Sequence, residues 1–239
     1  MLSLVVVLPH PPLLVPELAA GAAGETAELR AAVRSAASRL AEAAPEWIAV
    51  GADAGGRRTV PPATAGTFAG FGRDVRVVLG PGAGAPDPEL PLPLLVAGWV
   101  AGGTGRALHV RGELVADDAP TADCLRLGRE LAAEADAVDG PVGLLIVGDG
   151  AATHTEKAPG HLDERAGPFD AGVAKALEHG DPAPLAALDP GLAAELWAAG
   201  RAPWQVLAGA AEDRDWRGEL LYSAAPYGVA YHVAVWTPA

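Results

Sequence analysis

The residues best suited to chemistry lie between positions 148 and 157, where Gly148-Asp149-Gly150 is followed by Thr153, His154, Thr155, Glu156 and Lys157. An imidazole flanked by two carboxylates and an ammonium group can move protons, hold a divalent cation or bind an anionic substrate group. Asp149 and His154 pair an acid with a base, the combination by which a carboxylate orients and charges an imidazole. Lys157, one of only two lysines, could pair with Glu156 or Asp149 or meet an anionic group. A second histidine, His10, stands between Pro9 and Pro11-Pro12. Proline rings fix φ near about −65°, so this imidazole sits on a stiff elbow. Rigid backbone on both sides suits a metal ligand or a base, because small misplacements are costly. Asp53, in the glycine-rich run 51–56, is a third candidate ligand, although an Asp in such a loop commonly bonds its own backbone.

These residues must be delivered by the elements before them. Residues 142–147 are apolar or glycine throughout, between Pro141 and Gly148, which predicts a strand buried on both faces of a parallel sheet. Open α/β sheets bind ligands beyond the carboxyl ends of such strands. Residues 4–8 predict a first buried strand that delivers His10 to the same rim. Leu29, Val33, Ala36 and Leu40 share one face of a helix over 25–44, and a second strand at 47–50 leads to Asp53. Strand, helix and strand then form a right-handed crossover. Residues 57–73 read as a long loop over the rim, and a third strand is expected at 74–79. A helix at 88–101, a short strand at 107–111 with His109 in its middle, and a helix to 136 with Asp118 as N-cap follow. Beyond Phe169-Asp170 come several helices, then strands at 220–223 and 229–236. Alternation in the last strand puts Val229, Tyr231, Val233 and Val235 on one face and His232 and Trp236 on the other. The expected fold class is α/β: one domain over residues 1–239, a mostly parallel central sheet flanked by helices, and the site at the C-terminal edge of the strands.

Half of the 239 residues are hydrophobic, enough for a large core. A net charge of −13 argues against nucleic acid and against membrane surfaces as partners. Cys124 is the sole cysteine, which excludes an intrachain disulfide and a Cys-only zinc site and fits a cytoplasmic location. The apolar start lacks the cationic lead and cleavage site of a signal peptide, and no apolar run approaches the roughly 20 residues that span a bilayer.

Several motifs recur together in one known family. They are Pro9-His10-Pro11-Pro12-Leu13-Leu14 after the first strand, Gly148-Asp149-Gly150 with His154 after a late one, Phe169-Asp170, Tyr222-Ser223, and Pro226-Tyr227-Gly228-Val229-Ala230-Tyr231. In order and spacing they resemble the class III extradiol ring-cleavage dioxygenases, catalytic B-subunit (LigB-like) superfamily, over nearly the whole chain. The resemblance implies a non-haem Fe(II) held by two histidines and a glutamate, a further histidine as acid–base, and opening of catechol-type rings with O2. It makes His10 the first iron ligand and His154 the acid–base, and it places Tyr227 near the substrate pocket, where Lys157 is the candidate cation. The family's second histidine is replaced by Gly51-Ala52-Asp53, and its glutamate has no counterpart around Gly200 to Trp204. A site for Fe(II) or another divalent metal would then be rebuilt from His10, Asp53 and either His154 or Glu156.

Two functions stay open on these residues. One is an oxygenase acting on a small aromatic or cyclic substrate; the other is a homologue whose pocket binds a small molecule or a protein partner without turnover. A metal-free hydrolase or isomerase using His154 and Asp149 is a third, without the Ser or Cys elbow that a nucleophilic mechanism needs. Homo-oligomerisation is left open.

Overall fold

The structure, a computed structural model, describes residues 1–19 and 24–239. In chain order the strands are β1 (Leu2–Leu8), β2 (Glu46–Ala52), β3 (Arg58–Val60), β4 (Ala65–Thr67), β5 (Arg76–Val78), β6 (Pro86–Asp87), β7 (His109–Val115), β8 (Val142–Val147), β9 (Trp216–Ala224) and β10 (Tyr231–Pro238). The helices are α1 (Pro16–Ala19), α2 (Ala27–Ala43), α3 (Leu92–Gly103), α4 (Thr121–Ala137), α5 (Ala166–His179), α6 (Pro182–Ala186), α7 (Pro190–Glu195) and α8 (Arg201–Ala211).

The main sheet has seven strands in the order β3-β7-β2-β8-β1-β10-β9. Its centre, β7-β2-β8-β1, is parallel, as apolar strands joined by crossover helices require. The flanks are antiparallel: β3 against β7, and β10 against both β1 and β9. The sheet is therefore mixed rather than mostly parallel. No helix separates β9 from β10, and a short connection can only return a strand antiparallel to its predecessor.

Alternate side chains of each central strand enter different cores. Val5, Val7, Ile48, Val50, Leu144 and Ile146 pack with α4, α5 and α8. Leu4, Val6, Trp47, Ala49, Leu145 and Val147 pack with α2 and α3 on the other face. In β10 the split falls as the alternation predicts: Tyr231, Val233 and Val235 join the α2/α3 core, while Ala234 and Trp236 join the α4/α5/α8 core.

Four local expectations are corrected. The segment expected as one loop holds β3, β4 and a 3-10 turn at Phe68–Phe71. The strand expected at 74–79 shortens to β5 and pairs in a separate three-stranded sheet, β5-β4-β6, instead of the main one. His109 begins its strand instead of lying inside it and meets Glu46 at 2.5 Å on the surface, because β7 continues to Val115 in register with β2. Pro120, not Asp118, precedes the first residue of α4. Among the described residues no helix is long and apolar enough to cross a membrane.

Leu144 is fully buried (0 % exposed) at the centre of β8, while Val78 on the small sheet is 41 % exposed. Leu144→Ala is expected to cost about 2–5 kcal/mol and Val78→Ala less than about 1 kcal/mol, read from denaturant midpoints.

Candidate functional site

β1 and β8 are parallel neighbours, so the segments after Leu8 and Val147 leave the sheet together. Gly148 N–H donates to Leu8 O at 2.9 Å, and Asp149 Oδ1 accepts the backbone N–H of His10 at 2.7 Å. The His10 Nδ1 lies 3.2 Å from the same oxygen but off the line of a hydrogen bond, so the contact is an ion pair rather than a directed bond. Burial pushes the imidazole toward its neutral form, and the Asp149 carboxylate outweighs it, holding His10 above its ordinary value of 6.5. The carboxylate also repels ionisation of Tyr231, whose hydroxyl burial has already pushed far up. Tyr231 belongs to the α2/α3 core, which ties the His10–Asp149 pair to that side of the sheet.

His154 makes a different partnership. Its Nε2 lies 2.6 Å from Oδ2 of Asp170, a residue of α5 that is only 5 % exposed. Oδ1 of the same carboxylate lies 3.2 Å from Nε2 of His232 in β10, and both oxygens take the Ala151 N–H, at 3.1 and 3.3 Å. His232 Nδ1 meets Ser223 Oγ at 3.0 Å, because those two residues are directly opposite in the β9–β10 ladder. The imidazole of His232 packs near Trp204 of α8, with ring centroids 6.0 Å apart. Four side chains and one backbone amide thus form a continuous array on the α5/α8 side.

The glycine pair around Asp149 serves this packing. A Cβ on Gly150 would overlap Asp170 Oδ1 and come within 2.8 Å of Ala230 Cβ. A Cβ on Gly148 would overlap the Gly200 backbone, whose N–H donates to Asp149 O at 2.7 Å. Both positions need a residue without a side chain because backbone and carboxylate approach so closely.

The other candidates lie apart from these two pairs. Asp53 Oδ2 accepts the N–H of Gly55 at 3.1 Å, so it closes its own turn. Glu156 is exposed, and its backbone carbonyl rather than its carboxylate meets His161 Nδ1, at 2.9 Å. Lys157 lines an open cavity of about 590 Å³ with Thr155, Glu156, Pro226, Tyr227 and Gly228. The Tyr227 hydroxyl donates to Glu25 at 2.8 Å. Asp149 faces His10 rather than the His154 ring, which Asp170 holds. Among the described residues no group of three or more His, Cys, Asp or Glu side chains is placed to hold a metal ion. His10, Asp53 and either His154 or Glu156 are therefore not brought together as one set of metal donors.

Asp170 and His232 are the site residues that sequence reasoning did not select. Their signal was a polar residue on an otherwise apolar face: Asp170 stands with Phe169, Val173 and Leu177 in α5, and His232 with Ala234 and Trp236 in β10. Groups so placed need partners.

With this geometry established, comparison with solved structures gives likenesses at the level of the fold. The chain is similar to a solved structure described as the uncharacterized protein JW3007 from Escherichia coli K12, with a TM-score of 0.55 and 16% sequence identity over 98% of this chain and 99% of that one. No family model matches the sequence, and no curated protein does. The likeness concerns architecture alone.

Two outcomes follow from the electrostatics. Asp170→Asn replaces one of the two acceptor oxygens by an N–H donor that opposes a ring N–H, and the expected loss is about 3 kcal/mol or more in chemical denaturation. His10 has a raised value in the folded state, so its contribution is fully present below its ordinary 6.5 and fades as pH rises through that raised value. The difference in Tm between wild type and His10→Gln should be largest near about pH 5 and shrink toward about pH 9.

Proposed function

We propose that the chain is a relative of the extradiol dioxygenases that has kept a ligand pocket at the C-terminal rim of its sheet without the iron chemistry. In this reading it binds a small cyclic or aromatic molecule bearing a hydroxyl group. The observation that carries the proposal is that no three ligand side chains converge among the described residues, while His10 pairs with Asp149 and His154 with a different carboxylate, Asp170. An iron site needs three such donors converging on one point, and among the described residues no group of three or more His, Cys, Asp or Glu side chains does so.

His154 is the residue placed to meet the ligand. Its ring is 19 % exposed, and its Nε2 proton is spent on Asp170, which leaves Nδ1 to accept from a hydroxyl. The adjoining cavity, which starts at Thr155, offers Lys157 for a negative charge and the ring of Tyr227 for a flat apolar surface. An oxygenase acting through Fe(II) or another divalent metal is the competing reading.

The test combines metal analysis with calorimetry, using catechol as the probe. Protein purified anaerobically with added Fe(II) should retain negligible iron in both wild type and His10→Ala. Catechol binding should persist in the presence of a chelator and weaken about tenfold in His154→Ala, the loss expected for a buried hydrogen bond. Stoichiometric iron that disappears in His10→Ala, with O2 uptake on adding catechol, would overturn the proposal in favour of the oxygenase.

A further inference from the structure

We infer that His232, acting through Asp170, is a positioning residue that fixes the tautomer of His154. This rests on the reading above, in which His154 meets the ligand, and adds to it the device that decides which nitrogen the ligand finds.

The argument is one of counting protons. An ionised carboxylate only accepts hydrogen bonds, so every group facing Asp170 must donate. The Ala151 amide does so by construction. The ring nitrogens that face the carboxylate, Nε2 of His154 and Nε2 of His232, must each carry a proton. In a neutral imidazole the other nitrogen is then an acceptor. For His232 that acceptor is Nδ1, and the Ser223 hydroxyl fills it as donor at 3.0 Å. For His154 the acceptor is also Nδ1, and it is the atom left for a ligand.

Each part of the array has a geometric reason to hold. His232 is 1 % exposed and fixed by its strand, by Ser223 opposite and by Trp204 beside it. Its N–H on Oδ1 keeps the carboxylate from turning, so Oδ2 remains aimed at His154. Remove that donor and Oδ1 keeps only the longer, 3.3 Å contact with Ala151. The carboxylate can then rotate, and His154 is no longer restricted to one tautomer. A histidine that only filled space between β10 and α8 would have no such effect on His154.

The experiment reads ring nitrogens directly in ligand-free protein with 15N-labelled histidine, by two-bond nitrogen–proton correlation NMR. Wild type should show His154 as a single tautomer with its proton on Nε2. His232→Leu, which removes the donor, should give His154 a mixed-tautomer pattern and about fivefold weaker catechol binding. His232→Gln, whose amide can place an N–H near the former Nε2, should restore the single pattern. Ser223→Ala lies on an exposed edge strand and should shift the His232 Nδ1 resonance without unfolding the chain, which keeps the idea testable if His232→Leu misfolds. An unchanged His154 pattern in His232→Leu, or an unchanged His232 Nδ1 in Ser223→Ala, would overturn the positioning role. Because the tautomers are read without ligand, a failure of catechol to bind would count against the ligand reading alone.

Discussion

A buried carboxylate must collect its own solvation from the protein, and Asp170 is where this chain meets that demand. An isolated charge in an apolar interior costs several kcal/mol, and neighbouring donors must offset it. The donors to Asp170 come from the loop after β8, through Ala151 and His154, and from β10, through His232. One side chain of α5 therefore fixes where that helix, that loop and that strand sit relative to one another. The loop is further bound to the approach of β10 by Gly150 N–H to Ala230 O at 2.8 Å, Ala230 N–H to Ala151 O at 2.9 Å and His154 N–H to Gly228 O at 3.1 Å. The absence of a side chain at Gly150 lets the carboxylate come this close.

Asp149 does the corresponding work toward the other core, with a looser and more accessible pair. It ties the end of β1 to the end of β8 through the His10 amide, and its own carbonyl receives the amide before α8. A charged pair here is less costly because both partners keep partial contact with solvent. Between them the two acids decide the fate of both rim histidines. His10 lies beside the Asp149 carboxylate, and His154 beside that of Asp170. Architecture is shared at 16% identity with a structure from Escherichia coli K12, and architecture alone does not transmit chemistry.

Much of the fold was legible in the residue pattern. The runs at 4–8, 47–50 and 142–147, the helical stripe at Leu29, Val33 and Leu40 and the alternation in β10 all appear as read, because each is a periodicity between near neighbours. Legibility failed where the pattern was short or weak. β3, β4 and β6 are two- or three-residue strands with no period to detect. The antiparallel flank at β1 depended on which strand β10 would choose, a choice made by the whole sheet.

The sequence by itself determined that His10 and residues 148–157 follow buried parallel strands and so share a rim. Only the tertiary structure decided their partners. Asp170 is 16 residues from His154 and 62 from His232, and Asp149 is 139 from His10. Side-chain period is a local property, carried by the backbone geometry of a few consecutive residues. A hydrogen bond across such distances exists only after helix and strand have packed, and its direction follows from the cost of leaving a buried charge unpaired.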